Sequence, residues 1–144
     1  MEQTITKITN EGIIEFLATE LMGWHESKNC YLDDWWVTDA DNPTPDYTEV
    51  PQAKISDWNP LVNSNLFFEP YGILDKLKEK LYYIDIFIYP DYKIEVEISY
   101  SEKHPNFPKG RCYDVGDERV SLVQDDNFNR AMCVAIVEAL GRTL

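Results

Sequence analysis

The run Ala131-Met132-Cys133-Val134-Ala135-Ile136-Val137 holds seven consecutive apolar residues. Wound into a helix, it has no polar face, so such a helix must be covered by other elements around most of its circumference. Asp125 to Asn127 offer capping side chains at its start and Gly141 a stop at its end. Ala131, Ala135 and Ala139 stand four apart, and a stripe of small side chains lets the backbone approach a sheet or another helix closely. A chain of 144 residues is most simply one domain over 1–144, large enough to bury about 68–70% of the surface of its unfolded form.

Upstream, Thr9 or Asn10 can cap a helix in which Ile13, Phe16 or Leu17, and Leu21 recur at helical spacing until Gly23. Cys30 to Thr38 reads as a strand, and its run Trp35-Trp36-Val37 predicts apolar surroundings on both faces. From Asp39 to Pro60 the prolines Pro43, Pro45, Pro51 and Pro60 predict a long irregular loop. A second helix is expected over Asn63 to Leu81, with Pro70 in its first turns or ending a short turn before it. Tyr82 to Tyr89 and Lys93 to Tyr100 form a hairpin about Pro90-Asp91, and a short strand fits Arg111 to Val115. This order predicts an α+β domain: a single-domain α/β/α sandwich with one mostly antiparallel sheet of about four strands, covered by helices on both faces.

Charge removes several functions. Twenty-six acidic against 13 basic side chains leave a formal charge of −13, which opposes phosphate backbones and anionic lipid headgroups, so neither direct nucleic-acid binding nor a membrane partner is expected. The start of the chain lacks a secretion-signal pattern, and no apolar stretch approaches the roughly 20 residues needed to span a bilayer. Cys30, Cys112 and Cys133 make no C-x-x-C pair, which points to a reducing cytoplasm and to no metal or other cofactor.

Between Tyr31 and Asn65 seven acids face one base, Lys54. The bland reading is a solvated loop; the sharper one is a surface for a basic partner. All four tryptophans, Trp24, Trp35, Trp36 and Trp58, lie in or beside this stretch. Two or more of them are expected in the core or clamping the loop, and the others could line an aromatic cleft. The candidate binding residues are therefore Trp24, His25, Trp35, Trp36, Asp39, Asp41, Asp46, Trp58 and Asn59. His25, just past a helix end, has no partner motif for catalysis, and His104 lies far along the chain.

Leu17-Ala18, Met22-Gly23-Trp24-His25 closing the first helix, a Trp-rich strand, Trp58-Asn59-Pro60 before the second helix and an Ala-rich last helix around Arg130-Ala131 together resemble the phage ABA-sandwich domain family. The likeness spans roughly Thr9 to Gly141. The chain departs from the pattern at Phe67-Phe68-Glu69-Pro70, which interrupts the second helix, and at Cys133 within the Ala-rich run. The resemblance implies a bacteriophage or prophage source and a sandwich architecture, and no activity. The resulting expectation is a non-enzymatic accessory protein that acts in the host-cell cytoplasm and binds a protein partner through its acidic, aromatic segment. The alternative is a small-molecule binder that sequesters a nucleotide-type immune signal, with Lys54, Arg111, Arg119 or Arg130 gathered at one pocket.

Overall fold

The computed structural model describes residues 9–91, 93–108 and 118–143. Helix α1, Asn10–Phe16, continues into a π-helical turn, Leu17–Leu21. Thr9 caps it, its Oγ1 accepting the Gly12 N–H at 3.0 Å. Gly23 ends it at φ 75, the left-handed conformation that glycine adopts without steric cost.

Strands β1 (His25–Glu26), β2 (Trp35–Thr44) and β3 (Tyr47–Lys54) form an antiparallel sheet in that order. Two expectations are corrected here. Cys30–Leu32 is a 3-10 turn rather than strand, and most of the segment expected to be irregular is a hairpin. The prolines fit because they fall where the ladder is interrupted. Pro51 lies at the register shift between Trp36 and Val37, and Pro43 within the shift between Asp39 and Thr44. Pro45 and Asp46 make the turn itself, where the fixed φ of proline is an asset. The expected burial on both faces holds at Trp36 and Val37, which are 3% and 0% exposed.

The expected helix Asn63–Leu81 is divided into α2 (Asn65–Phe68) and α3 (Ile73–Glu79). Pro70 drives Glu69 into an extended conformation at ψ 155, and Tyr71 follows at φ 60. Gly72 is buried where a Cβ would come within 2.8 Å of the Leu66 and Glu69 carbonyl oxygens.

The second sheet has the order β4-β5-β6, all antiparallel: β4 is Tyr82–Ile88, β5 Ile94–Tyr100 and β6 Arg119–Asp125. The expected hairpin is β4–β5, in register from Tyr82 opposite Tyr100 to Ile88 opposite Ile94. The expected strand Arg111 to Val115 falls outside the described residues; β6 follows it. The fold class is thus α+β, but the single four-stranded sheet becomes two sheets of three. The reason is local pairing: β1 to β3 close on one another within 30 residues of chain, and α2 and α3 intervene before β4 begins.

Helix α4, Phe128–Thr143, is the centre of the core. Asn127 caps it by accepting the Arg130 N–H at 2.9 Å. It packs against β5 and β6, and also against α1 and the π turn. Ala131, Ala135 and Ala139 are fully buried, and the backbone approaches β6 closely enough for the Ser121 hydroxyl to donate to the Ala135 carbonyl at 2.8 Å. The opposite face of this sheet exposes Tyr83, Phe87 and Leu122, so the helix cover expected on both faces is present on one among the described residues.

Candidate binding site

The β2–β3 hairpin carries the acidic stretch outward. Every residue from Asp41 to Thr48 is exposed, and this tip contains Asp41, Asp46 and Tyr47 with no basic side chain. Tyr47 is 52% exposed, and Tyr31, ahead of β2, is 87% exposed.

A cluster of polar contacts braces the base of the arm. In the antiparallel register His25 stands opposite Val37, and Asp39 opposite Glu49. Side chains alternate along a strand, so His25, Asp39 and Glu49 share one face. His25 Nδ1 lies 2.9 Å from the Glu26 carbonyl oxygen and Nε2 lies 3.1 Å from Asp39 Oδ1. Both partners are acceptors, and only the doubly protonated imidazolium can donate to both. The Glu26 carbonyl first, and then Asp39, raise the His25 pKa above its usual value.

When protonated, the ring also offsets the repulsion of two carboxylates directly opposite each other. Glu49 is largely covered; it accepts from the Ser27 hydroxyl and from the Lys28 N–H at 3.1 Å, and these bonds hold its carboxyl below the usual range. A small recess of about 230 Å³ lies beside it, lined by Lys28, Asn29, Asp39, Thr48 and Glu49. The contacts tie the chain after α1 to the hairpin, so the arm leaves the body from a fixed base.

The tryptophans sit lower. Trp36 and Trp58 are 3% and 4% exposed and belong to the core, while Trp24 and Trp35 are half-buried. Trp24 meets Trp58 edge to face, with ring centroids 5.1 Å apart at 68°. Trp36 and Trp58 therefore anchor the first sheet and the following loop rather than offer a stacking surface. Asn59 acts in the turn: its Oδ1 accepts the Leu61 N–H at 3.0 Å ahead of the buried Pro60. Of the residues singled out by sequence, the structure brings together His25 and Asp39, pairs Trp24 with Trp58, and exposes Asp39, Asp41 and Asp46 on the arm.

Sequence reading missed Ser27 and Glu49 as the brace. Their only signal was a Ser and a Glu 22 residues apart, which carries no information before the strand register is known. The basic residues required for a phosphate pocket are dispersed. Lys54 lies 3.9 Å from Asp34, Arg119 pairs with Glu97, and Arg130 lies 3.7 Å from Asp125; Arg111 is outside the described residues. Among the described residues no three His, Cys, Asp or Glu side chains converge as metal ligands, and no helix is long and apolar enough to cross a membrane. His25 and His104 have separate partners, Asp39 for the first and the rings of Tyr82 and Tyr100 for the second. No family model, curated protein or solved structure matches the chain.

Proposed function

We propose that this is a non-enzymatic accessory protein of the phage ABA-sandwich kind, which binds a basic protein partner through the acidic β2–β3 arm. The observation that carries the reading is the uninterrupted exposure of Asp41 to Thr48, acidic and tyrosine-bearing, on a hairpin braced at its base. Acidic surfaces speed encounter with basic ones, and an exposed Tyr supplies contact area at little conformational cost. The absence of catalysis is argued from His25, whose two ring nitrogens each lie within hydrogen-bond distance of an acceptor oxygen, an arrangement that favours the imidazolium over a ring free to take a proton. The nucleotide-binding alternative is weaker, because Lys54, Arg119 and Arg130 are each engaged with a carboxylate in a different part of the fold.

The test places a photo-crosslinking residue at Tyr47 and applies the protein to bacterial host extract. The expected product is a basic protein whose capture falls with added salt and is lost in the Asp41→Lys, Asp46→Lys double variant, which keeps Asp39 for His25. Capture indifferent to both salt and charge reversal would exclude the electrostatic arm.

A further inference from the structure

A cleft of about 520 Å³ lies away from the arm, where the end of α3 passes into β4 beside the loop after β5. This is within the range of roughly 300–1,000 Å³ usual for small-molecule sites. Leu81, at φ 70, ends α3 in the left-handed conformation and turns the chain into β4 within one residue, so that Glu79, Lys80 and Tyr82 all line the same cleft.

One wall is aromatic. The His104 ring lies 4.3 Å from the Tyr100 ring and 5.1 Å from the Tyr82 ring, centroid to centroid, and Pro105 extends the wall. His104 Nδ1 accepts the Asn106 N–H at 3.0 Å, which leaves the proton of the neutral ring on Nε2. Burial lowers the His104 pKa, so this wall carries no positive charge at neutral pH. The rim is acidic. Glu20, from the π turn, forms no ion pair among the described residues, and Glu79 has only the half-buried Lys76 at 3.7 Å. Lys76 stands outside the cleft, and among the residues that line it two carboxylates face one ammonium, Lys80, while the C-terminal end of α3 adds to the negative sign.

We infer that this cleft binds a small organic cation with a flat body, an aromatic amidine or amine, whose charge meets Glu20 and Glu79 while its ring lies against Tyr82, His104 and Pro105. A flat cation gains from both features at once, since ring faces attract positive charge and carboxylates pair with it. An anion would meet the carboxylates, and a neutral ring would use the wall alone. The cleft and the arm are separate, so the inference does not depend on the proposed protein partner.

The chain has two histidines, which makes the test self-controlled. Benzamidine is titrated into the protein while the imidazole carbon-bound protons of His104 and His25 are followed by NMR. His104 is expected to shift saturably and His25 to stay in place. Benzamide, the neutral analogue, should bind about tenfold more weakly and benzoate not at all. Glu20, Glu79 and Lys80 are exposed, so their variants keep the fold. Glu20→Gln and Glu79→Gln should each weaken benzamidine by about threefold, Lys80→Gln should tighten it by a similar factor, and Asp46→Asn on the distant arm should leave it unchanged. Equal movement of the two histidines, equal binding of benzamide, or affinity unaltered in all three cleft variants would overturn the inference.

Discussion

Replacing Ala135 by Asp puts the two-sided burial of α4 to its most direct test. Ala135 is fully buried, its carbonyl already takes the Ser121 hydroxyl, and Val96 and Ile98 on the facing strand are fully buried as well. A carboxyl placed here enters the apolar core cluster. Complete burial raises a carboxyl pKa by up to about 3–5 units, so the folded variant holds its proton up to about pH 7, and at that pH the penalty relative to an unfolded pKa of about 3.9, at about 1.4 kcal/mol per unit, is about 4 kcal/mol. Crowding of the helix–sheet contact adds about 1–3 kcal/mol. The sum is comparable with the roughly 5–15 kcal/mol total stability of a domain, so Ala135→Asp should be largely unfolded or melt about 15 °C or more below the parent. Ala135→Asn separates charge from size, because it has nearly the same shape and does not ionise. The aspartate pKa in the folded variant lies above its unfolded value of about 3.9; the variant is therefore least penalised below that pH and loses stability as pH rises toward the folded value. Urea unfolding followed by tryptophan fluorescence should show Ala135→Asp falling relative to Ala135→Asn by about 1.4 kcal/mol per unit between pH 5 and 7. An Asp variant that melts within two or three degrees of the parent at pH 7, or that parallels the Asn variant at every pH, would refute the burial.

Three further outcomes are expected. Tyr71 is 81% exposed and held at φ 60, so Tyr71→Gly loses little contact and relieves about 1–2 kcal/mol of left-handed strain, with a net gain of about 1 kcal/mol after the entropy of glycine; a lower melting temperature would count against the strain. Gly72→Ala, despite the usual gain from restricting the unfolded chain, should lose about 1–3 kcal/mol in chemical denaturation because its Cβ meets two carbonyl oxygens at 2.8 Å, and an unchanged midpoint would show that the α2–α3 turn yields. The raised His25 pKa means that stability from its two bonds is fully present below about pH 6.5 and is lost as pH rises through the folded value; an NMR titration should place the His25 midpoint above that pH and lower it in Asp39→Asn, and identical midpoints in the two proteins would discard the pairing.

The elements legible from sequence were those whose pattern is local. The apolar run of α4, the alternation of β5 and the glycine stop after α1 are each legible through local pattern, and the structure has all three where they were expected, although α4 runs past the expected stop at Gly141 to Thr143. The first sheet was hidden by its prolines, because proline forbids a regular ladder and a sequence does not show where a ladder is already irregular. Pro51 and Pro43 occupy those irregularities, which become visible only when Val37 is known to face Pro51, and Thr44 to face Tyr47. Strand β6 was missed between the expected strand at Arg111 and the cap of α4; at Ser99 its register shifts to meet Arg119. The site divides in the same way. Its acidity was countable, whereas the pairing of His25 with Asp39 depends on strand register across 14 residues.

The prolines of the arm also govern how another chain can approach it. Strand β3 is the outer strand of its sheet among the described residues, and an outer strand ordinarily offers a row of backbone groups to which an incoming strand can add, in recognition or in fibril formation. Here Pro51 has no N–H to donate, the bulge beside it breaks the repeat, and the exposed charge of Asp46 at the turn would meet its like on a second copy. Backbone zippering along this edge is thereby disfavoured, for a partner and for self-association alike. A protein that engages the arm must read its side chains, so its specificity can be changed at single positions without altering the strand pairing that holds the arm in shape.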